Sequence, residues 1–537
     1  MRYEQQISAC LRATAAIALG LGLFASGRGV SASEQTPAQP PAQPPATTAP
    51  AGPTLQVNAD EAVKMALENN LGIQAARLSP EVQALELAQT RSSFTPVLFT
   101  NTTKNSNSNP PSNFLSGSDF VTNEGVRSNV GFQQQIKWGG GRYTASIDGS
   151  RNTTSDPSDP FNPRLSSNFN FNYTQPLLRN FTIDGIRQQL LIGQKQQEIV
   201  DVQLQQQVLQ TSRRVRSAYF DLVGAIGQLD VARKTLDLAR QQLRNNQTRV
   251  EVGAMAPIDI TEAEAEVARN EEDVIISEAR IRTIEDNLRT LVMNPSQPEF
   301  WNTRIVPSEQ PVLTPQPINV EEAVRNALAG RTDIVQARKG LEQTDIDIRY
   351  AKNQRLPNVD AILNYGLAGV GGTRTIYELN QDGFPVPIGT AQRSFNDALR
   401  DIFGNEFKTW SFQLQVSYPI GTSAADAGLA QARVQRQQDM TSLQQLEMQV
   451  ATQVRDAGRQ VETSLRRVEA TRKARELAQR RYEAEQKRMS VGLSTTFQLF
   501  QAQRDLSSAQ SAELNAVIAY SRALVDFEAV QRIPLGG

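Results

Sequence analysis

The 537-residue sequence predicts a mainly α-helical fold joined to a membrane β-barrel, with long coiled-coil hairpins and strands set out twice by an internal duplication. Three observations carry this expectation. Two proline-free stretches, residues 184–252 and 424–491, hold apolar residues at a seven-residue spacing. Two series of segments match each other in the same order. Ahead of each long stretch lies a region whose apolar residues alternate with polar ones.

The N-terminus comes first. Arg2 and Arg12 precede an apolar run at 13–25, and Val30-Ser31-Ala32 follows, the pattern of a secretory signal peptide cut after Ala32. The single cysteine, Cys10, lies before the apolar run, where a lipoprotein's acylated cysteine would not be, so no lipidation is expected. An exported chain cut there has neither cysteine nor histidine. Disulfides, zinc-thiolate sites, cysteine nucleophiles and histidine triads are thereby excluded. With 55 basic and 56 acidic residues there is no basic excess to suggest nucleic acid. Beyond the leader no run of 18 apolar residues could form a transmembrane helix. Residues 33–54, rich in Pro, Ala, Gln and Thr, are expected to be a disordered tether.

The duplication then appears. Val57 to Val63, Ala66-Leu67, Ile73, Ala76-Arg77 and Pro96 match Ile318 to Val324, Ala327-Leu328, Ile334, Ala337-Arg338 and Pro357 at an offset of 261. Each copy opens with Asn three residues before Glu (Asn58/Glu61 and Asn319/Glu322), the spacing of a capping box, and runs helically to its proline. Further on, Arg249, Val252, Gly253 and Ala263 match Arg488, Val491, Gly492 and Ala502 at an offset of 239. The expected organisation is a first repeat at 55–300, a Pro-rich linker at 301–317, a second repeat at 318–533 and a tail at 534–537.

Strands follow the opening helix. In the first repeat four candidates stand at 97–104, 128–138, 143–150 and 169–173; in the second, two at 359–367 and 412–418, separated by a long loop. Alternation of this kind suits a sheet wet on one side in a soluble domain, and equally a barrel with lipid outside and water inside. Aromatic residues concentrated here favour aromatic girdles.

The long helices come next. Val208, Val215, Leu222, Leu229, Leu236, Leu243 and Val250 recur every seven residues, and Ala218, Ala225, Ala232 and Ala239 form a companion row of small residues. This is a heptad seam with left-handed supercoiling. After Gly253 the period restarts at Ile260, Val267, Val274, Ile281 and Leu288; in the second repeat Val454, Val461 and Val468 lead to a turn at Gly492. At 1.5 Å per residue each long helix spans roughly 100 Å, too long to fold round a compact core. One chain supplies two such hairpins, and several copies side by side could close a tube.

In this order of elements the chain resembles the TolC-like outer-membrane efflux proteins. The residues carrying the resemblance are the Glu-Ala-Val…Ala-Leu openings at Glu61 and Glu322, the strand exits Gln175-Pro176-Leu177-Leu178 and Tyr418-Pro419-Ile420, and the Val-Gly turns at Gly253 and Gly492. The resemblance implies a homotrimeric α/β-barrel, a passive channel of a tripartite efflux or type I secretion system that crosses the outer membrane and extends into the periplasm. It implies outer-membrane lipid as surroundings, a periplasmic adaptor (membrane-fusion) protein as partner, and an inner-membrane pump reached through it. The docking tips would be Arg249, Val252, Gly253, Arg488, Val491, Gly492, Leu493 and Ser494; a plain helix–helix turn would equally explain the glycines. Around the periplasmic entrance stand Asp259 and Glu262 at the first tip and Gln498 and Gln501 at the second. The family pattern has acids at the second tip, so an acidic ring there does not carry over, and Asp259 and Glu262 also suit helix N-termini. The family's simplest pattern has two strands per repeat, so the residue 128–150 hairpin is extra, inside the barrel or outside it.

No catalytic residue, cofactor or metal is expected. The Gly366–Gly372 stretch lacks the Lys-Ser/Thr of a phosphate loop, and Asp156 and Asp159 fit no calcium-loop spacing. The rival reading is a periplasmic coiled-coil scaffold without a pore, which explains the helices but not strands at equivalent places in both repeats.

Overall fold

The computed structural model describes residues 53–111, 119–311, 317–381, 383 and 385–531. The expected signal peptide, residues 33–52 of the expected tether and the expected tail lie outside them.

Each repeat begins at a helix cap. Ahead of α1 (Ala59–Asn69), Asn58 Oδ1 accepts from the Glu61 N–H at 2.7 Å and Glu61 Oε2 accepts from the Asn58 N–H at 3.0 Å, a closed capping box. At the matching α5 (Val320–Gly330), Asn319 accepts from the Glu322 N–H at 3.1 Å, but Glu322 meets the Asn319 side-chain amide, so only half the box forms. Neither opening runs as one helix to its proline. Extended backbone at Asn70 and Arg331 breaks each, and a second helix follows, α2 (Leu71–Ser92) and α6 (Thr332–Gln354). Pro80 lies inside α2 without ending it, because buried Ile73 and Leu87 hold the turns on either side.

Between these helices and the long ones lies a seven-stranded antiparallel sheet. The first repeat supplies the four expected strands: β2 (Val97–Asn109), β3 (Val121–Gln135), β4 (Arg142–Thr154) and β5 (Phe161–Pro176). The second supplies β7 (Asn358–Leu379), β8 (Pro385–Arg393) and β9 (Phe407–Ser417). The sheet runs β2-β3-β4-β5-β7, with β9 beside the first half of β7 and β8 beside its second half. The expected long loop therefore contains β8 and a helix, α7 (Phe395–Gly404), closed by a Ser394–Asp397 capping box. Pro385 and Pro387 hide β8 in the sequence, yet both are tolerated on an edge strand. Helix α7 lies so close over β7 that a Cβ on Gly369 would stand 1.8 Å from the Ala398 carbonyl oxygen.

Two long hairpins follow, α3 (Gly185–Glu251) with α4 (Ile258–Val292) and α8 (Ala424–Ser490) with α9 (Thr496–Val530). Their starts are capped by Asp184 and Ser423. The heptad seam buries Val215, Leu222 and Leu236, and the small row buries Ala225, Ala232 and Ala239. Each opening helix seals its own hairpin. Ala62, Val63 and Ala66 pack with Val215, Tyr219, Leu222, Leu288 and Val292; Ala323, Val324 and Ala327 pack with Val450, Val454, Ala516 and Tyr520. Full burial of one such Val or Leu contributes about 1.5–3 kcal/mol. Strands β1 (Thr54–Val57) and β6 (Arg304–Pro307) pair in parallel beside the first cluster, β6 lying within the expected linker.

The repeats are also tied to each other. Lys195 and Glu198 of α3 interlock with Lys339 and Glu342 of α6, with N–O distances of 2.6–3.2 Å. Hydrogen bonds from Glu342 and Glu198 push Lys195 up to about 12, and those from Lys339 and Lys195 hold Glu198 below the usual carboxylate range. All four groups stay charged at neutral pH. No helix among the described residues is long and apolar enough to cross a membrane.

Candidate functional site

The far ends of the two hairpins are closed by one backbone motif. After α3, Val252 caps the helix, the Gly253 N–H donates to the Val250 carbonyl at 2.9 Å and the Ala254 N–H to the Arg249 carbonyl at 2.8 Å. After α8, Val491 caps, the Gly492 N–H donates to the Met489 carbonyl at 3.3 Å and the Leu493 N–H to the Arg488 carbonyl at 2.9 Å. Both are Schellman closures. The shared spacing is thus explained: Arg supplies the accepting carbonyl, Val the cap, and Gly the left-handed residue, at φ +70° and +78°. No atom lies within 4 Å of the Cβ position at either glycine, so backbone conformation alone requires glycine there.

The structure brings the two tips together. Arg249 Nη1 reaches across to the Met489 carbonyl at 3.3 Å, joining a residue of one repeat to the last turn of the other's long helix. Around this link Val252, Val491 and Leu493, together with Ile258 and Phe497, are 63–77% exposed. Arg488 points along its own helix to Glu485 at 3.6 Å. The Ser494 hydroxyl bonds the Glu485 carboxylate and lies 3.0 Å from Gln498 Oε1.

The entrance residues divide between the hairpins. Helix α4 starts at Pro257 with no side-chain cap; Asp259 is half-buried in its first turn and Glu262 is exposed. Gln498 is used in a capping box with Thr495, each side chain 3.3 Å from the other's N–H. Gln501 bonds within its own helix, donating to Asp505 at 2.8 Å and accepting from Arg504 at 3.0 Å.

Sequence reasoning missed several residues here. Ile258 and Phe497 extend the exposed apolar surface, and their signal was an apolar residue at the start of each returning helix. Asn246 is fully buried and donates to the Asp259 carbonyl at 3.2 Å. It interrupts the row of small residues seven positions after Ala239, and that break was visible. Glu266, buried on α4, accepts from Arg504 of α9 at 3.0 Å, and Gln503 donates to the Thr235 carbonyl at 3.1 Å. No local pattern announces such pairs, because their partners lie more than 200 residues away.

Residues 62–292 and 323–530, the body of both repeats, match the outer membrane efflux protein family. The chain belongs to that family. No curated protein matches it in sequence. Solved structures match in fold: a membrane protein from Pseudomonas aeruginosa at TM-score 0.63 and 16% identity, covering 92% of this chain and 99% of that one; CusC at 0.62 and 14%, covering 92% and 98%; and the Campylobacter jejuni CmeC outer membrane channel at 0.61 and 16%, covering 88% and 85%. The efflux protein is TolC-like, an outer-membrane channel whose helical hairpins extend into the periplasm. Its sheet belongs to a membrane barrel, the second of the two readings the alternation allowed.

Proposed function

We propose that three copies of the efflux protein form a passive duct, without catalytic activity, that docks through its hairpin tips onto a periplasmic adaptor and so serves an inner-membrane pump. The observation that carries this reading is the pair of matched tips, tied by Arg249 and exposing Val252, Val491 and Leu493 to solvent. A helix–helix turn needs the glycine but not an exposed apolar collar, whereas a docking surface gains from burying one. The tips' Arg249, Gly253, Arg488, Gly492 and Ser494 shape that surface, and Asp259, Glu262, Gln498 and Gln501 border the entrance. Cargo of either kind, small molecules or an exported polypeptide, is compatible with such a duct.

Negative-stain electron microscopy of the detergent-purified protein tests the assembly. Three-fold particles with a tube longer than about 100 Å are expected; single rods without a detergent belt would favour the scaffold. Docking is tested separately by Leu493→Asp, which should leave those particles unchanged while removing co-purification of the adaptor. Undiminished co-purification would overturn the tip assignment.

A further inference from the structure

We propose that the β3–β4 hairpin is part of the membrane wall, so that each copy contributes six wall strands (β2, β3, β4, β5, β7 and β9) and a trimer closes an eighteen-stranded barrel. This rests on the trimeric reading above and goes beyond it, since two strands per repeat would give twelve.

The pairing is continuous. Thirteen residue pairs join β2 to β3, thirteen join β3 to β4 and eleven join β4 to β5. The hairpin therefore stands between β2 and β5, where a decoration outside the barrel could not be. Its strands also keep the wall's two faces. Residues in register share a face. Leu98, Phe132, Ala145, Phe171, Tyr365 and Trp410 lie in one register row across all six strands, an apolar band meeting lipid. Three residues further along, an odd step that reverses the face, Asn101, Asn129, Asp148 and Asn168 align on the opposite, lumen-facing side. An unrelated hairpin would have no reason to obey both rows.

Its inner turn is fixed to the helical part. Gln175 of β5 donates to the Gly139 carbonyl at 2.8 Å, and Gln135 to Asp184, the cap of α3, at 3.4 Å. At that rim the exposed Trp138 stacks edge-on with Phe181 at 5.9 Å, a placement suited to a membrane interface. β8 is excluded, since it pairs only with the outer half of β7 beyond the reach of β9. What remains open are one edge of β2 and one of β9, whose backbone groups must be paired inside a bilayer. The chain leaves the helices along β2 and returns to them along β9, so the two edges meet antiparallel between neighbouring copies.

The consequence is a wide outer-membrane lumen. With strands about 4.8 Å apart and tilted about 40°, eighteen strands give a backbone diameter of roughly 36 Å against roughly 24 Å for twelve. Barrels of that size leave an aqueous channel. Restriction of cargo size then falls to the helical tips and not to the barrel.

Spin labels on single cysteines, introduced in a Cys10→Ser background and read in proteoliposomes, test the hairpin. Val130→Cys and Ile147→Cys are expected to be several-fold more accessible to oxygen than to a water-soluble nickel chelate, and Asn129→Cys and Asp148→Cys the reverse. Phe171→Cys and Asn170→Cys on β5 serve as references. If the references alternate and the hairpin positions do not, the hairpin lies outside the wall and only this inference falls; if the references fail too, the channel reading falls with it. Cryo-electron microscopy of the unaltered protein gives an independent count, with eighteen strands expected in cross-section and twelve overturning the proposal.

Discussion

At the first tip the returning helix starts from Pro257 without a side-chain cap, carries Asp259 and Glu262 in its opening turns, and rests on buried Asn246, Glu266 and Asn270. At the second, the returning helix is closed by the Thr495–Gln498 box and buries Leu499, Phe500 and Ala502. Yet the turns themselves superimpose bond for bond as Schellman motifs. The duplication has kept the backbone closure and let the side chains beneath it diverge, so that one returning helix opens with acidic residues and the other with uncharged, largely apolar ones. The division suits a mouth in which two hairpins present the same collar to a partner while playing different parts below it.

The largest effect is expected where the two kinds of hairpin meet. Glu266 is 5% exposed and its chief cross-helix partner is Arg504, 36% exposed. Arg504→Ala leaves a buried carboxylate with only Arg269, at 3.6 Å. A fully buried pair loses about 3–5 kcal/mol when one partner is removed; because Arg504 is partly screened by solvent, roughly 2 kcal/mol is expected. The α4–α9 contact should open near the entrance, read as higher single-channel conductance in planar bilayers and faster hydrogen exchange in α4. A variant with conductance and exchange unchanged would place the tie outside the entrance's mechanics and erase that part of the contrast.

A smaller and equal effect is expected at the shared turns. Gly253→Ala and Gly492→Ala each force a left-handed alanine, at about 1 kcal/mol, with no added steric clash. The amides of Ala254 and Leu493, protected by the Schellman bonds, should exchange faster by a similar factor in the two variants. Unequal responses would mean that the surroundings, and not φ alone, determine the turn, and the comparison would need redrawing.

What the sequence revealed follows the same line between local and distant causes. The seven-residue rows and the Arg-x-x-Val-Gly turns are local patterns, and the long helices and the turns that close them were legible from them. Most wall strands were visible through alternation, as at Phe169, Phe171 and Tyr173. β8 and α7 were not, because Pro385, Pro387 and Gly389 lower the strand signal of β8, and ten residues are too few for helical periodicity to stand out in α7. The hairpin's place in the sheet needed the pairing of β2, β3, β4 and β5. The Glu266–Arg504 tie and the Lys195–Glu342 quartet depend on contacts between repeats, which no spacing within one repeat encodes.

The smallest effect concerns charge at the mouth. Asp259 and Glu262 place acids at the start of one returning helix only, while Gln498 and Gln501 occupy the matching positions of the other. Gln498→Glu is the probe, because Glu and Gln serve equally at the third position of a capping box, so the Thr495 closure should survive. The change adds to each copy a carboxylate that shares the Ser494 hydroxyl with Glu485, and in solvent at physiological salt its field is largely screened beyond about 8 Å. A modest shift of the reversal potential towards cations is therefore expected in a salt gradient, fading as salt is raised, and Glu262→Gln should move it by a similar amount the other way. If Gln498→Glu shifts selectivity and Glu262→Gln does not, ions pass nearer the start of α9, and the acids of α4 act as partners of its helix N-terminus, not of the permeating ion.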